Sequence, residues 1–219
     1  ARIVKDVISI GMAPFFMNSA ACLIVILINQ GLQQHGGDLA IGAYGIVNRV
    51  SFVFVMIVLG INQGMQPIVG FNYGAKQYKR TVEALKLTII CATAVTTTGF
   101  IMAEFFPRAI SMVFTTDEEL IQHAIVGMRI VFACFPIIGF QIVAGNFFQS
   151  VGMAAKSVFM SLTRQLIFLL PGLLILPTFI GTNGIWMSMP IADGLSSMIA
   201  FILLYKQIKK FKKIEQYGN

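Results

Sequence analysis

Residues 60–80 read GINQGMQPIVGFNYGAKQYKR. The stretch begins at the end of a long apolar run and closes in a basic loop. In between it holds Asn62, Gln63, Gln66 and Asn72 among glycines and Pro67. A soluble core rarely places so many amides and helix-breaking residues in one apolar segment. At membrane depth such residues are tolerated only where neighbouring protein or a water-filled cavity satisfies them. The stretch therefore points to an all-α membrane protein, and the rest of the sequence can be tested against that reading.

Working outward, the chain has 219 residues, 57% hydrophobic and only 11% charged, where a soluble domain carries roughly 25% charged residues. Apolar runs of about 20 residues recur between short polar breaks, the length needed to cross a hydrocarbon core of ~30 Å. The net charge of +7 is not a nucleic-acid signal, because the basic residues collect at the ends of the runs, where they meet a lipid surface. Cys22, Cys91 and Cys134 lie inside apolar runs and suit packing rather than a disulfide or metal site. No Ser/His/Asp or Cys/His constellation, metal-ligand spacing or phosphate-binding loop is present, so no enzyme activity, catalytic residue, metal or cofactor is expected. The chain starts with Ala1 and shows no cleavable leader, and Ala1 is expected to be interior to a longer protein.

Six spans are expected, at about residues 7–32, 40–70, 84–106, 120–148, 157–180 and 185–205, followed by a basic tail over 206–219. QQHGGD makes the first turn and Pro107 stops the third span. Thr116 with Glu119 is expected to cap the fourth, and GTNG separates the last two. Before the third span, Lys79, Glu83 and Lys86 make one polar helical face. Arg2, Lys5, Lys76, Lys79, Arg80, Lys86, Lys156 and the five lysines of 206–213 fall at one end of the spans, whereas Arg108 stands alone at the other with Asp38, Asp117, Glu118 and Glu119. That asymmetry makes the first end cytoplasmic, with both chain ends on the cytoplasmic side of the plasma membrane.

Four ionisable residues are then counted inside spans: Arg49, Arg129, Arg164 and Asp193. Arg49, Arg129 and Asp193 each lie about ten residues from the outer ends of their spans, a depth of about 15 Å near the midplane. An ion pair between Arg129 and Asp193 is expected, either as a structural fastener or as an ion site in a transport path. Arg164, eight residues beyond Lys156, is expected to snorkel to the cytoplasmic surface. Asn62, Gln63 and Gln66 lead the candidates for an ion or substrate pathway, with Asn48, Arg49 and Asp193 behind them. Gly60, Gly64 and Pro67 are the expected bending points of the second span. Every span but the third has an interior proline, namely Pro14, Pro67, Pro136, Pro171 with Pro177, and Pro190. Secondary transporters build midplane sites from such interrupted helices.

Residues 60–80 also resemble the conserved segment of the MATE (multidrug and toxic compound extrusion) transporters. IGMAPFFMNSA in the first span, NFFQSVGMAAKS after the fourth and GIWMSMPIADGLS in the sixth agree with it in order. The resemblance implies the C-terminal six-helix lobe of a twelve-helix, two-lobe antiporter. Its partners would be drugs or organic cations, the lipid bilayer and an N-terminal lobe, with Na⁺ or H⁺ as coupling ion. Some family members carry cation-binding carboxylates in the spans matching the first and fourth here, and this chain has none at depth there. A flippase for lipid-linked oligosaccharides from the same superfamily is the alternative implied.

Overall fold

The computed structural model describes residues 2–217, with side chains described over 18–214. Gly11 and Pro14 fall outside the described side chains. Helix α1, Arg2–Gly74, is two helical arms joined at Gly37, whose φ of 65° and ψ of −161° only glycine adopts without strain. The arms fold back on each other, since Ile24, Ile28 and Leu32 share a buried cluster with Ala40, Ala43 and Val47. Helix α2 (Tyr78–Phe105) stops before Pro107, which opens the short α3 (Pro107–Met112). Helices α4 (Glu118–Phe132) and α5 (Phe135–Ser150) follow, then α6 (Ala154–Leu162), a π-helical stretch over Thr163–Leu169, α7 (Leu170–Ile180) and α8 (Thr182–Tyr217). No strand occurs among the described residues.

Four helical stretches are long and apolar enough to cross a membrane, and the α4–α5 pair, bent by 53°, makes a fifth crossing. The first of the four, Asn18–Gly74, has 57 residues. Straight, it would measure about 85 Å, so the break at Gly37 makes it two crossings, and six in total.

Departures from the simple six-span picture have identifiable causes. Asp117, not Thr116, caps α4: its carboxylate accepts from the Glu119 and Leu120 amides at 3.0 and 3.4 Å. Thr115 in turn accepts from the Asp117 amide. The bend at 133–134 lies just before Pro136, whose ring cannot sit against the carbonyl one turn back and which supplies no amide. The π-helical stretch precedes Pro171 in the same way, and the Leu170 amide reaches back to the Gln165 carbonyl. The tail is not a separate segment, because α8 continues to Tyr217 and buries Leu204, Gln207 and Phe211 at helical spacing.

Two cores hold the bundle. One gathers Leu32, Val47, Met128, Phe132, Phe135 and Trp186. The other gathers Val58, Leu85, Phe147, Phe148, Leu204 and Phe211. Contacts between Tyr78 and Phe211 and between Lys156 and Gln207 bring the basic loops and the lysine-rich end of α8 to one pole. Arg108 pairs with Glu118 elsewhere, in the 107–118 region between the third and fourth crossings.

Candidate functional site

The functional candidates start from one buried carboxylate. Asp193 lies in α8 after Pro190, its side chain 4% exposed, and its Oδ1 accepts from Arg164 Nε at 2.5 Å. Arg164 sits in the π-helical stretch and keeps 38% of its side chain exposed. Burying a lone carboxylate in an apolar bundle costs several kcal/mol, and a hydrogen-bonded arginine offsets part of that cost. The snorkelling expected for Arg164 is therefore corrected: it turns to Asp193 across the α7–α8 hairpin.

The expected Arg129–Asp193 pair is corrected with it. Arg129 faces Glu104 near the end of α2 at 3.8 Å, and both side chains are largely exposed. Depth counted along the chain does not decide which helices touch, and α4 packs against α2 and α3 as well as α8. Glu104, one residue before the end of α2, is the partner of Arg129 instead. Arg49 is exposed and has no carboxylate within ion-pair distance among the described residues.

Around Asp193 the polar groups form a chain. Ser196 Oγ donates to the Asp193 carbonyl at 3.2 Å and accepts from Gln141 Nε2 at 2.8 Å, while Ser197 donates to Gln141 Oε1 at 3.4 Å. One turn further along α5, Asn146 accepts from Gln66 Nε2 at 3.2 Å, which ties the second arm of α1 to the same seam. The Oε1 of Gln165, beside Arg164, is buried and has no hydrogen-bond partner among the described residues.

Two cavities meet at this seam. The larger, about 420 Å³, is lined by both arms of α1 and by α4, α5, the π-helical stretch and α8; Tyr44, Asn48, Ser51, Arg164, Gln165 and Asp193 supply its polar lining. The smaller, about 200 Å³, lies between α5 and α6, lined by amides and hydroxyls that include Gln141, Asn146, Gln149 and Ser161. Arg164 and Gln165 line both. The walls of the larger are otherwise apolar, with Phe52, Phe135 and Met189 among them. Such a lining suits an amphiphilic guest held by a few polar anchors.

Of the residues singled out from sequence, the structure brings Asn48 and Asp193 to this cavity and Gln66 to the seam. Asn62 is buried, donating to the Val58 carbonyl at 2.8 Å, with its Oδ1 unpartnered among the described residues. Gln63, Gly60, Gly64 and Pro67 share the exposed face of the second arm, whose backbone stays helical through all of them. Sequence reasoning does not find Gln165, sends Arg164 to the surface, and reads Gln141 as one of the span amides that join helices, which is what its bond to Ser196 of α8 does. For Arg164 the one available signal is a second charge in the span preceding Asp193.

Comparison with known proteins agrees with this architecture. The MatE family model matches residues 10–174. The multidrug export protein MepA of Staphylococcus aureus is 24% identical over 211 residues, covering 93% of this chain and 45% of that protein. The protein of the same name in Staphylococcus haemolyticus is 22% identical, covering 92% and 44%. The solved structure of the MATE multidrug transporter DinF-BH, a complex with a bound compound, superposes with a TM-score of 0.81 at 42% identity, covering 94% of this chain and 46% of that one. An inward-facing MATE family transporter of the MOP superfamily gives a TM-score of 0.88 at 18% identity, covering 97% of this chain and 50% of that one, a likeness of fold alone. The chain spans about half the length of the relatives it matches.

Proposed function

Because the chain belongs to the MATE family of membrane transporters, we propose that it works as one lobe of a cation-coupled multidrug efflux antiporter. The lobe would pack against a second one, with alternating access between them. Its basic pole would face the cytoplasm, as the charge asymmetry of the loops favours. The observation that carries this reading is the neutralised Arg164–Asp193 pair in the wall of a 420 Å³ cavity otherwise dominated by apolar side chains. Among the described residues, Asp193 is the one carboxylate lining that cavity.

A coupling cation, Na⁺ or H⁺, competes with Arg164 for Asp193. Gln165, in the same cavity wall, adds a buried Oε1 without a partner of its own among the described residues. Arg164 released from the carboxylate then changes the charge of the wall that a cationic or amphiphilic drug meets. A phosphate-bearing lipid-linked sugar would call for a net positive cavity, whereas here the only arginine lining it, among the described residues, is already paired. The exposed face of the second arm, with Gln63, Gly60, Gly64, Phe52 and Met56, is the surface offered to the second lobe. Bending at Gly60–Pro67 as the lobes rock belongs to the same proposal; export by a Pro67→Ala variant at the wild-type rate would remove that part of it.

The test is drug accumulation in cells expressing the whole protein, with the Na⁺ and pH gradients collapsed separately. Wild type should lose export with one gradient only, and Asp193→Asn should export poorly whichever gradient is present. Normal export and ion dependence in Asp193→Asn would refute the assignment.

A further inference from the structure

At the basic pole, a notch of about 170 Å³ opens between the start of α2 and the end of α8. Its rim carries Lys79, Lys86 and Lys212 against one acid, Glu83, and its floor is Tyr78 and Phe211. The floor is rigid, because Tyr78 stacks on Phe211 at 5.0 Å between ring centroids and Tyr73 closes on Phe211 at 5.6 Å. Phe211 itself is 2% exposed. Nothing in the transport reading uses these lysines.

The notch does not stand alone. On α8, Met198, Phe201, Tyr205 and Lys212 fall at helical spacing on one outward stripe. Phe201 and Tyr205 stack at 6.3 Å along it. Toward the middle of the bundle that stripe borders an apolar groove of about 300 Å³, where Ile137 and Phe140 of α5 face Gly194, Met198, Phe201 and Ile202 of α8. Beyond Lys86, α2 presents the exposed apolar Leu87 and Ile90. From Lys212 to Met198 is fourteen residues, about 21 Å of helix. One leaflet, from headgroups to midplane, is about 20–22 Å thick. A basic notch at one end and an apolar groove at the other, one leaflet apart, match the two ends of a phospholipid. Basic pockets between helix ends at this depth suit anionic headgroups.

We propose that the notch and groove together form a binding site for an anionic phospholipid. Its phosphate sits among Lys79, Lys86 and Lys212, and one acyl chain runs down α8 into the groove at Phe140 and Phe201. The site is independent of the drug and the coupling ion, so it survives or fails separately from the efflux reading.

The experiment is native mass spectrometry of the whole protein, titrated with phosphatidylglycerol, phosphatidylcholine of the same chains, and inorganic phosphate as competitor. Phosphatidylglycerol should bind at least tenfold more tightly than phosphatidylcholine, and millimolar phosphate should not displace it. A Lys79→Gln/Lys86→Gln/Lys212→Gln variant should lose that preference while keeping the wild-type thermal midpoint. Met198→Trp, which fills the groove, should weaken both lipids alike. Equal binding of the two lipids, or an undiminished preference in the triple variant, would overturn the site. Displacement by phosphate alone would make it a phosphate site and not a lipid one.

Discussion

Residues 60–80 and the contact between the π-helical stretch and α8 make opposite use of polarity. The first region holds five amides and is conspicuous in the sequence. Most of its special residues nevertheless face outward, its backbone is helical until Gly74, and only Asn62 and Gln66 turn to the bundle. The second holds one arginine and one aspartate among leucines, phenylalanines and methionines. Yet it gathers the most buried ion pair among the described residues, an irregular helical stretch and the wall between two cavities. A crowd of amides on one helix marks a surface that must meet something polar. A single charge deep in the bundle marks a tertiary contact, because burial is tolerable only with its partner in place.

The largest effect that separates the two regions is expected at Arg164. Removing it leaves a carboxylate that is 4% exposed without a counter-charge, and breaking a buried pair in this way costs about 3–5 kcal/mol. Asp193→Ala should cost less, since Arg164 keeps over a third of its side chain exposed and can be hydrated from the cavity. Thermal midpoints of the purified whole protein in detergent check both. Equal midpoints for the two variants would break the asymmetry on which this description of the pair depends.

A second contrast lies in the glycines. A Cβ on Gly139 of α5 would stand 2.7 Å from Thr96 Oγ1 and 2.8 Å from the Ala92 carbonyl oxygen, both on α2. That crossing has no slack, and Gly139→Val should destabilise by about 1–3 kcal/mol through overpacking. The same melting measurement reads it. A wild-type midpoint would mean that α2 and α5 can part without penalty.

The two regions also show what can be read from sequence. The crossings are legible because apolar length and loop chemistry are local: QQHGGD holds the positive-φ Gly37, and Pro107 ends α2. Local competition shifts the cap from Thr116 to Asp117, since a carboxylate one residue later reaches two amides. The ion pair is not legible, because it depends on which helices touch. Pairing Arg129 with Asp193 rests on depth alone, and that depth assumes that the fourth span enters the membrane at its cap. Glu104 and Arg164 each lie close to an end of a span and are easily given to the surface. Only the packing of α4 beside α2, and of the π-helical stretch beside α8, assigns their partners. The cavity wall at Gln165 is invisible in the sequence for the same reason.

The smallest effect is the most informative about the outward face of residues 60–80. A Cβ added at Gly64 meets nothing within 4 Å in this lobe, and Gly60 is equally open. Replacing a helical glycine with alanine restricts the unfolded chain and should stabilise the helix by about 0.5–1 kcal/mol. A face that lines a solvated space between two lobes accepts the extra methyl, so Gly64→Ala in the whole protein should melt slightly higher and export drug as wild type does. A face that forms a close small-residue contact with another helix does not, because there the methyl would hold two backbones apart. A lower melting point with lost export would therefore move this stretch from cavity lining to a packed interface. The exposed amide Gln63 would then be read as a fastener between lobes instead of a group that a substrate meets.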